Sequence, residues 1–271
     1  MGEQTGIEWT SHTFNTHWGC VKVSPGCEHC YAESLDKRTG GKHWGPESER
    51  RFFGEKHWNE PRKWNEKAEQ AGERRRVFCS SMADVFEERE DLDEIRHRLM
   101  ALIEETPNLD WLLLTKRPQA MLDFFMGTSG AGYNAPMLPN IWCGTTVEDQ
   151  QRADERIPIL AAIPAVVRFV SFEPLLGPIV LTQGALRDID WAIVGGESGG
   201  GARPMHAEWV KNLRMQLVGR VAFFFKQWGE WAPRPDDIAA QEGLVRLGKK
   251  GAGRLLDGRE WNELPTPRRP T

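Results

Sequence analysis

Ile141-Trp-Cys-Gly-Thr-Thr-Val147, a helical stretch from Asp149 to Ile163, and Val166-Val-Arg-Phe-Val-Ser-Phe172 follow one another in the chain. Two near-continuous apolar runs separated by one helix make the β-α-β pattern of a parallel sheet buried on both faces. The pattern extends outward in both directions. Upstream lie Asp110-Trp-Leu-Leu-Leu-Thr115, with Pro118 opening a short helix after it, and Arg76-Val-Phe-Cys-Ser-Ser-Met82. The latter is followed by a segment at Asp91–Glu105 with Leu92, Ile95, Leu99, Leu102 and Ile103 at helical spacing. A first strand is expected near Glu8–Asn15. Downstream come Trp191-Ala-Ile-Val194, a helix over Ala207–Val218 and Val221-Ala-Phe-Phe-Phe225. Six or seven such units predict an α/β fold, a partial (β/α) TIM-like barrel of parallel strands. A doubly wound open sheet is the alternative, because repetition alone does not show closure.

Charged and polar residues recur where these strands end. Asp84 follows the second strand, Lys116 and Arg117 the third, Glu148 the fourth, Glu173 the fifth, Glu197 the sixth, and Lys226 with Gln227 the seventh. In parallel α/β architectures the carboxyl ends of the strands line the ligand site. Helix caps and surface ion pairs explain some such charges elsewhere. The full series points to an active site.

The first strand leads into Cys20-Val-Lys-Val-Ser-Pro-Gly-Cys27-Glu-His-Cys30-Tyr31. This C-x6-C-x2-C spacing suits convergence on one metal better than a disulfide framework, and three ligands leave a coordination position open. The chain has 271 residues, a net charge of −4 and five cysteines, with Cys79 and Cys143 far from the others inside apolar runs. An odd, clustered set is not a secreted disulfide scaffold. The N-terminal MGEQTGIEWT has no signal-peptide pattern, and no apolar run approaches the roughly 20 residues of a membrane span. A cytoplasmic protein is expected. The net charge argues against a globally basic nucleic-acid binder, leaving room for a local patch.

Several blocks resemble the phage Gp37/Gp68 family of three-Cys-motif proteins. They are Trp18-Gly-Cys20 with Ser24 to Glu33, Ser81-Met-Ala-Asp84-Val-Phe86 and Leu114-Thr-Lys-Arg-Pro118. The others are Ser171-Phe-Glu-Pro-Leu-Leu-Gly177, Gly195-Gly-Glu-Ser-Gly199, Phe223-Phe-Phe-Lys-Gln-Trp-Gly229 and Leu256-Asp-Gly-Arg-Glu-Trp261. That family is similar in turn to the radical S-adenosylmethionine (SAM) superfamily. The resemblance implies a [4Fe–4S] cluster held by Cys20, Cys27 and Cys30, whose remaining iron takes S-adenosyl-L-methionine. It implies reductive cleavage of the sulfonium to a 5′-deoxyadenosyl radical that abstracts a substrate hydrogen. Soft thiolates suit such a cluster. The common superfamily spacing is C-x3-C-x2-C, so the six-residue first gap departs from it. Tyr31 is expected against the cluster or cofactor, and Asp84, Glu148, Gly195, Gly196 and Glu197 as further cofactor contacts. Lys116, Arg117, Glu173, Lys226 and Gln227 are the expected catalytic set.

Structural zinc is the competing interpretation, with His17, His29 or Cys79 as a fourth ligand. Gly195-Gly-Glu-Ser-Gly-Gly-Gly201 matches neither the dinucleotide fingerprint nor a P-loop. Its glycines would let backbone N–H groups approach a ligand, or form a plain turn. Residues 42–76 carry ten Lys/Arg and seven Asp/Glu with Trp44, Trp58 and Trp64 interleaved. They read as an amphipathic lid over the rim or as a patch for a nucleic-acid backbone. The whole chain is expected to be one domain, with an insertion at 40–76 and a flexible tail at 265–271. Viral context and the basic aromatic insertion point to modification of a nucleobase or nucleic acid. A small-molecule substrate remains open, and a reductant protein and an auxiliary protein are the expected partners. The alternative function is a non-catalytic zinc or iron–sulfur module acting with a protein or DNA.

Overall fold

The computed structural model describes residues 5–128, 131–133, 135–233 and 243–268. In chain order the elements are β1 (His12–Thr13), β2 (His17–Trp18), α1 (Tyr31–Arg38), β3 (Arg51–Phe52), α2 (Glu55–Trp58) and α3 (Glu60–Ala71). Then come β4 (Arg75–Cys79), α4 (Asp93–Glu104), β5 (Leu109–Thr115), α5 (Pro118–Phe125), β6 (Ile141–Thr146) and α6 (Gln150–Ala161). The last are β7 (Val167–Phe172), α7 (Gln183–Asp188), β8 (Trp191–Gly195), α8 (Ala207–Leu217), β9 (Ala222–Gln227), β10 (Trp231–Pro233), β11 (Leu244–Arg246) and α9 (Gly248–Ala252).

Seven strands form one sheet in the order β1-β4-β5-β6-β7-β8-β9, every pair parallel. Helices α4 to α8 make the crossovers between successive strands from β4 to β9. The fold is a partial (β/α) barrel of TIM type. β1 and β9 stay at opposite ends of the sheet, so the curve is not closed. Two antiparallel two-stranded ladders, β2·β3 and β10·β11, lie outside it.

Alternation along the strands sorts side chains into two cores. On the concave face Trp9, Phe78, Leu112, Trp142, Phe169, Trp191 and Phe224 pack together. Trp191 meets Trp9, Trp142 and Phe224 edge-on at about 6 Å between ring centroids. These rings fill the barrel interior, and β6 gives way to them at Gly144, where a Cβ would strike the Phe169 ring. On the convex face Val77, Trp111, Leu113, Cys143, Val170 and Phe225 join the buried stripes of the helices in the larger core. Cys79 and Cys143 are fully buried there, as small core residues.

The insertion packs on the β1 side of this outer face. Trp58 and Trp64 are buried, and Trp64 stacks on His12 at 4.5 Å. Much of its charge is neutralised within the fold, by Arg50–Glu87, Arg62–Glu105 and Arg74–Asp110. At the other edge the chain returns along β9. Phe225 N donates to Trp261 O at 3.0 Å, and Phe224 bridges Asn262. Arg268, in the expected tail, donates to Asp190 and to the Asp188 carbonyl, while residues 269–271 lie outside the described residues. Among the described residues no helix is long and apolar enough to cross a membrane.

Candidate active site at the carboxyl ends of the strands

A cavity of about 730 Å³ opens above the aromatic interior, at the carboxyl ends of the sheet strands. Cys20, Cys27 and Cys30 all line it, none of them in a disulfide. Their loop is a run of turns: a short 3-10 turn over Pro25–Cys27, then Cys30 at the N-cap of α1. That position sets a sulfur donor at the positive end of the helix dipole.

Three strand ends hold the loop in place. From the end of β5, Arg117 Nη2 donates to Val21 O at 2.9 Å, and Nη1 reaches Cys20 Sγ at 3.8 Å. From the end of β6, Glu148 accepts from Gly26 N at 3.2 Å while paired with Arg156 at 3.0 Å. Beyond β8, Arg203 donates to Pro25 O and to Glu28, and its fork holds Glu197 at 2.6 and 2.9 Å. These charges therefore fasten the cysteine loop to the barrel.

Asp84 coordinates the first of these anchors. Its carboxylate accepts from Thr115 Oγ1 at 2.7 Å, Phe86 N at 3.1 Å, Lys116 N at 3.1 Å and Arg117 Nη1 at 2.9 Å. Burial opposes the charge on Arg117, yet Asp84 and Cys20 outweigh it and hold its pKa above the ordinary value. Burial, then Asp84, push the Cys20 thiol up to about 12 against the pull of Arg117. Burial also works to raise Glu197, but the bonds from Arg203 win and keep its carboxyl below the usual range.

Across the cavity stands a second polar group. Lys226 Nζ lies 2.9 Å from Glu173 Oε1, and Ser171 Oγ donates to Oε2 at 3.2 Å. Gly195 leaves room for this carboxylate, since a Cβ there would sit 2.6 Å from Oε1. Gln227 donates to Ser198 Oγ at 3.0 Å. Tyr31 anchors its hydroxyl on Ser81 O at 2.7 Å. At Gly196 a Cβ would collide with the Trp228 carbonyl, so this glycine allows two backbone segments to cross, and its N–H donates to Gln227 O at 3.0 Å.

The cavity thus gathers twelve of the expected residues: the three cysteines, Tyr31, Asp84, Lys116, Arg117, Glu173, Gly196, Glu197, Lys226 and Gln227. Two stand apart. Glu148 is fully buried behind the wall, spent on Arg156 and Gly26, and Gly195 is closed off beneath Glu173. Arg203, which holds the cysteine loop, and Arg156, which holds Glu148, are contacts that sequence reasoning missed. Their signal, an Arg six residues after Glu197 and another eight after Glu148, is indistinguishable from ordinary surface charge.

The donor set suits a thiolate-ligated cluster by kind and by placement, because three unpaired sulfurs and no fourth cysteine share one wall. As placed, Cys20 Sγ turns to Val21 O and Cys27 Sγ to Ser24 Oγ. Among the described residues no three His, Cys, Asp or Glu side chains are grouped as a metal site, so the three sulfurs share the cavity without being drawn onto one point. Of the zinc candidates, His29 lines the cavity, whereas Cys79 lies in the convex core and His17 is buried outside it.

The sequence matches a family described as protein of unknown function (DUF5131) over residues 4–265. The chain belongs to this family. No curated protein matches it. Among solved structures it is similar to a spore photoproduct lyase double mutant with bound AdoMet and dinucleoside spore photoproduct. There the identity is 15%, with 84% of this chain and 59% of that chain covered and a TM-score of 0.45. A single mutant of the same lyase gives 13% identity, 86% and 68% coverage, and a TM-score of 0.47. The chain spans about three-fifths of the length of the first of these.

Proposed function

We propose that this DUF5131 protein is a radical S-adenosylmethionine-type enzyme, its cavity holding a [4Fe–4S] cluster and S-adenosyl-L-methionine. The carrying observation is that three free cysteines, in a loop fastened by three different strand ends, line one cavity over a partial barrel. When bound, the pair supplies one-electron reduction and hydrogen-atom abstraction. Cys20, Cys27 and Cys30 hold the metal centre. Arg117, Glu148 with Arg156, and Arg203 fix the loop that presents them. Tyr31, Asp84, Gly196 and Glu197 face the cofactor space. Lys116, Glu173, Lys226 and Gln227 address the substrate. Trp9 and Phe78 close the floor against water.

Modification of a nucleobase or nucleic acid, in the phage setting suggested by the Gp37/Gp68 resemblance, is the reaction class we propose, with a reductant protein as electron source. Reaction in the cytoplasm and help from an auxiliary protein complete the reading. The test is anaerobic reconstitution with iron and sulfide, then reductant and S-adenosylmethionine. Formation of 5′-deoxyadenosine is expected. Its absence from a protein with a full complement of iron and sulfide would contradict the enzyme and favour a metal-binding module.

A further inference from the structure

We infer that the Glu173–Lys226 corner is a recognition site for the donor–acceptor edge of a planar heterocycle, the chemistry of a nucleobase. This deepens the proposed function by naming where and how the substrate class is bound, and rests on it only for the chemistry after binding.

The corner is built rather than incidental. Both side chains are mostly buried yet line the cavity, at 14% exposure for Glu173 and 20% for Lys226. Ser171 fixes the far carboxylate oxygen, and Gly195 leaves the space the carboxylate occupies. With one ammonium proton on Glu173, Lys226 keeps two donors for a ligand, and the carboxylate keeps unused lone pairs beside them. A donor and an acceptor side by side match a ring edge that carries C=O or ring nitrogen next to N–H.

Pairing at the corner itself weighs against an anion. Lys226 is paired with Glu173, and Arg117 with Asp84, so neither offers an uncompensated charge to a phosphate. A neutral, hydrogen-bonding group loses less on entering such a site than a dianion does. The surroundings favour a flat ring. Trp9 and Phe78 close the floor, and Trp18, Trp44 and Tyr31 stand around the cavity. Aromatic walls of this kind hold bases largely without regard to sequence, leaving selection to the edge contacts.

The same chemistry has two sources, a substrate base or the adenine of the cofactor. The test is calorimetric titration of the full chain, as purified and after iron–sulfide reconstitution. Uridine, thymidine, adenosine, S-adenosylhomocysteine and free ribose are the probes, each up to about 1 mM, the weak end of small-ligand affinity. Glu173→Gln and Lys226→Met are titrated in parallel, and thermal melting and iron content are recorded for each. Glu173→Gln keeps the shape and Lys226→Met the stem, so a fold lost in one leaves the other informative. Binding of uridine or thymidine, weakened about tenfold or more in the folded variants, places a substrate base in the corner. Binding confined to adenosine and S-adenosylhomocysteine, weakened alike, places the cofactor's adenine there. Either result supports the site. Absence of nucleoside binding, equal binding of ribose, or affinities indifferent to both substitutions would overturn it. Iron content in the unsubstituted chain reports separately on the cluster, so the two failures are told apart.

Discussion

Arg117 bridges Asp84 and the cysteine loop, with Nη1 2.9 Å from the Asp84 carboxylate and Nη2 2.9 Å from the Val21 carbonyl. One side chain thus joins the ends of β4 and β5 to the segment that carries Cys20. Neither partner is more than 11% exposed, so each charge depends on the other. Asp84→Ala removes the acceptor of four hydrogen bonds and strands the guanidinium. It is expected to cost about 3–5 kcal/mol, the range for breaking a buried pair from one side. Urea denaturation of the two proteins measures this, and a loss below about 1 kcal/mol, the scale of an exposed pair, would show that the network is dispensable.

The Arg203 clasp acts locally. Arg203 is partly exposed, so Arg203→Ala should lower global stability by only about 1 kcal/mol. It should instead release Pro25 and Glu28, raising hydrogen exchange and proteolysis across residues 21–29. Unchanged exchange there would mean that Glu148 and Arg117 alone position the loop.

Glu197 gives that clasp a pH dependence. Its folded pKa is depressed, so its contribution is present above the unfolded carboxylate value, near 4.3, and is lost as pH falls through the lower folded value. The stability difference between wild type and Glu197→Gln should therefore be full at pH 7 and shrink below about pH 4.3. A difference that persists unchanged at about pH 3 would contradict the assignment.

His17 titrates in a separate window. Burial, then Arg50, depress its pKa to about 4 from an ordinary 6.5. The fold favours the neutral ring, so stability is present above 6.5 and declines as pH falls towards 4, by roughly 3 kcal/mol from this group. Denaturation midpoints measured between about pH 7 and 4 should show this decline in wild type and a smaller one in His17→Gln.

The sheet was legible because each strand is apolar on both faces. Asp110–Thr115, Ile141–Val147 and Val166–Phe172 fall within a residue or so of β5, β6 and β7, and helices α4, α6 and α8 follow their spacing as closely. The first strand shrinks from the expected Glu8–Asn15 to two residues, because a turn closed by Thr10 N on Ile7 O at 3.2 Å takes up its start. Two-residue strands such as β2 and β3 leave too few residues for a period to show. At the rim, sequence position located the charged residues but not their direction. Glu173 and Lys226 face the cavity, whereas Glu148 turns away because Arg156, one helical stretch later, captures it. Such pairings are set by tertiary contact and leave no local pattern.

The cluster itself is read by iron and acid-labile sulfide per chain, measured after anaerobic reconstitution of wild type and of Cys20→Ala, Cys27→Ala, Cys30→Ala and Cys79→Ala. About four of each are expected in wild type and in Cys79→Ala, with absorbance near 400 nm, and loss of both in the other three. Stoichiometric zinc in place of iron, or iron retained when any of the three loop cysteines is removed, would contradict the cluster assignment.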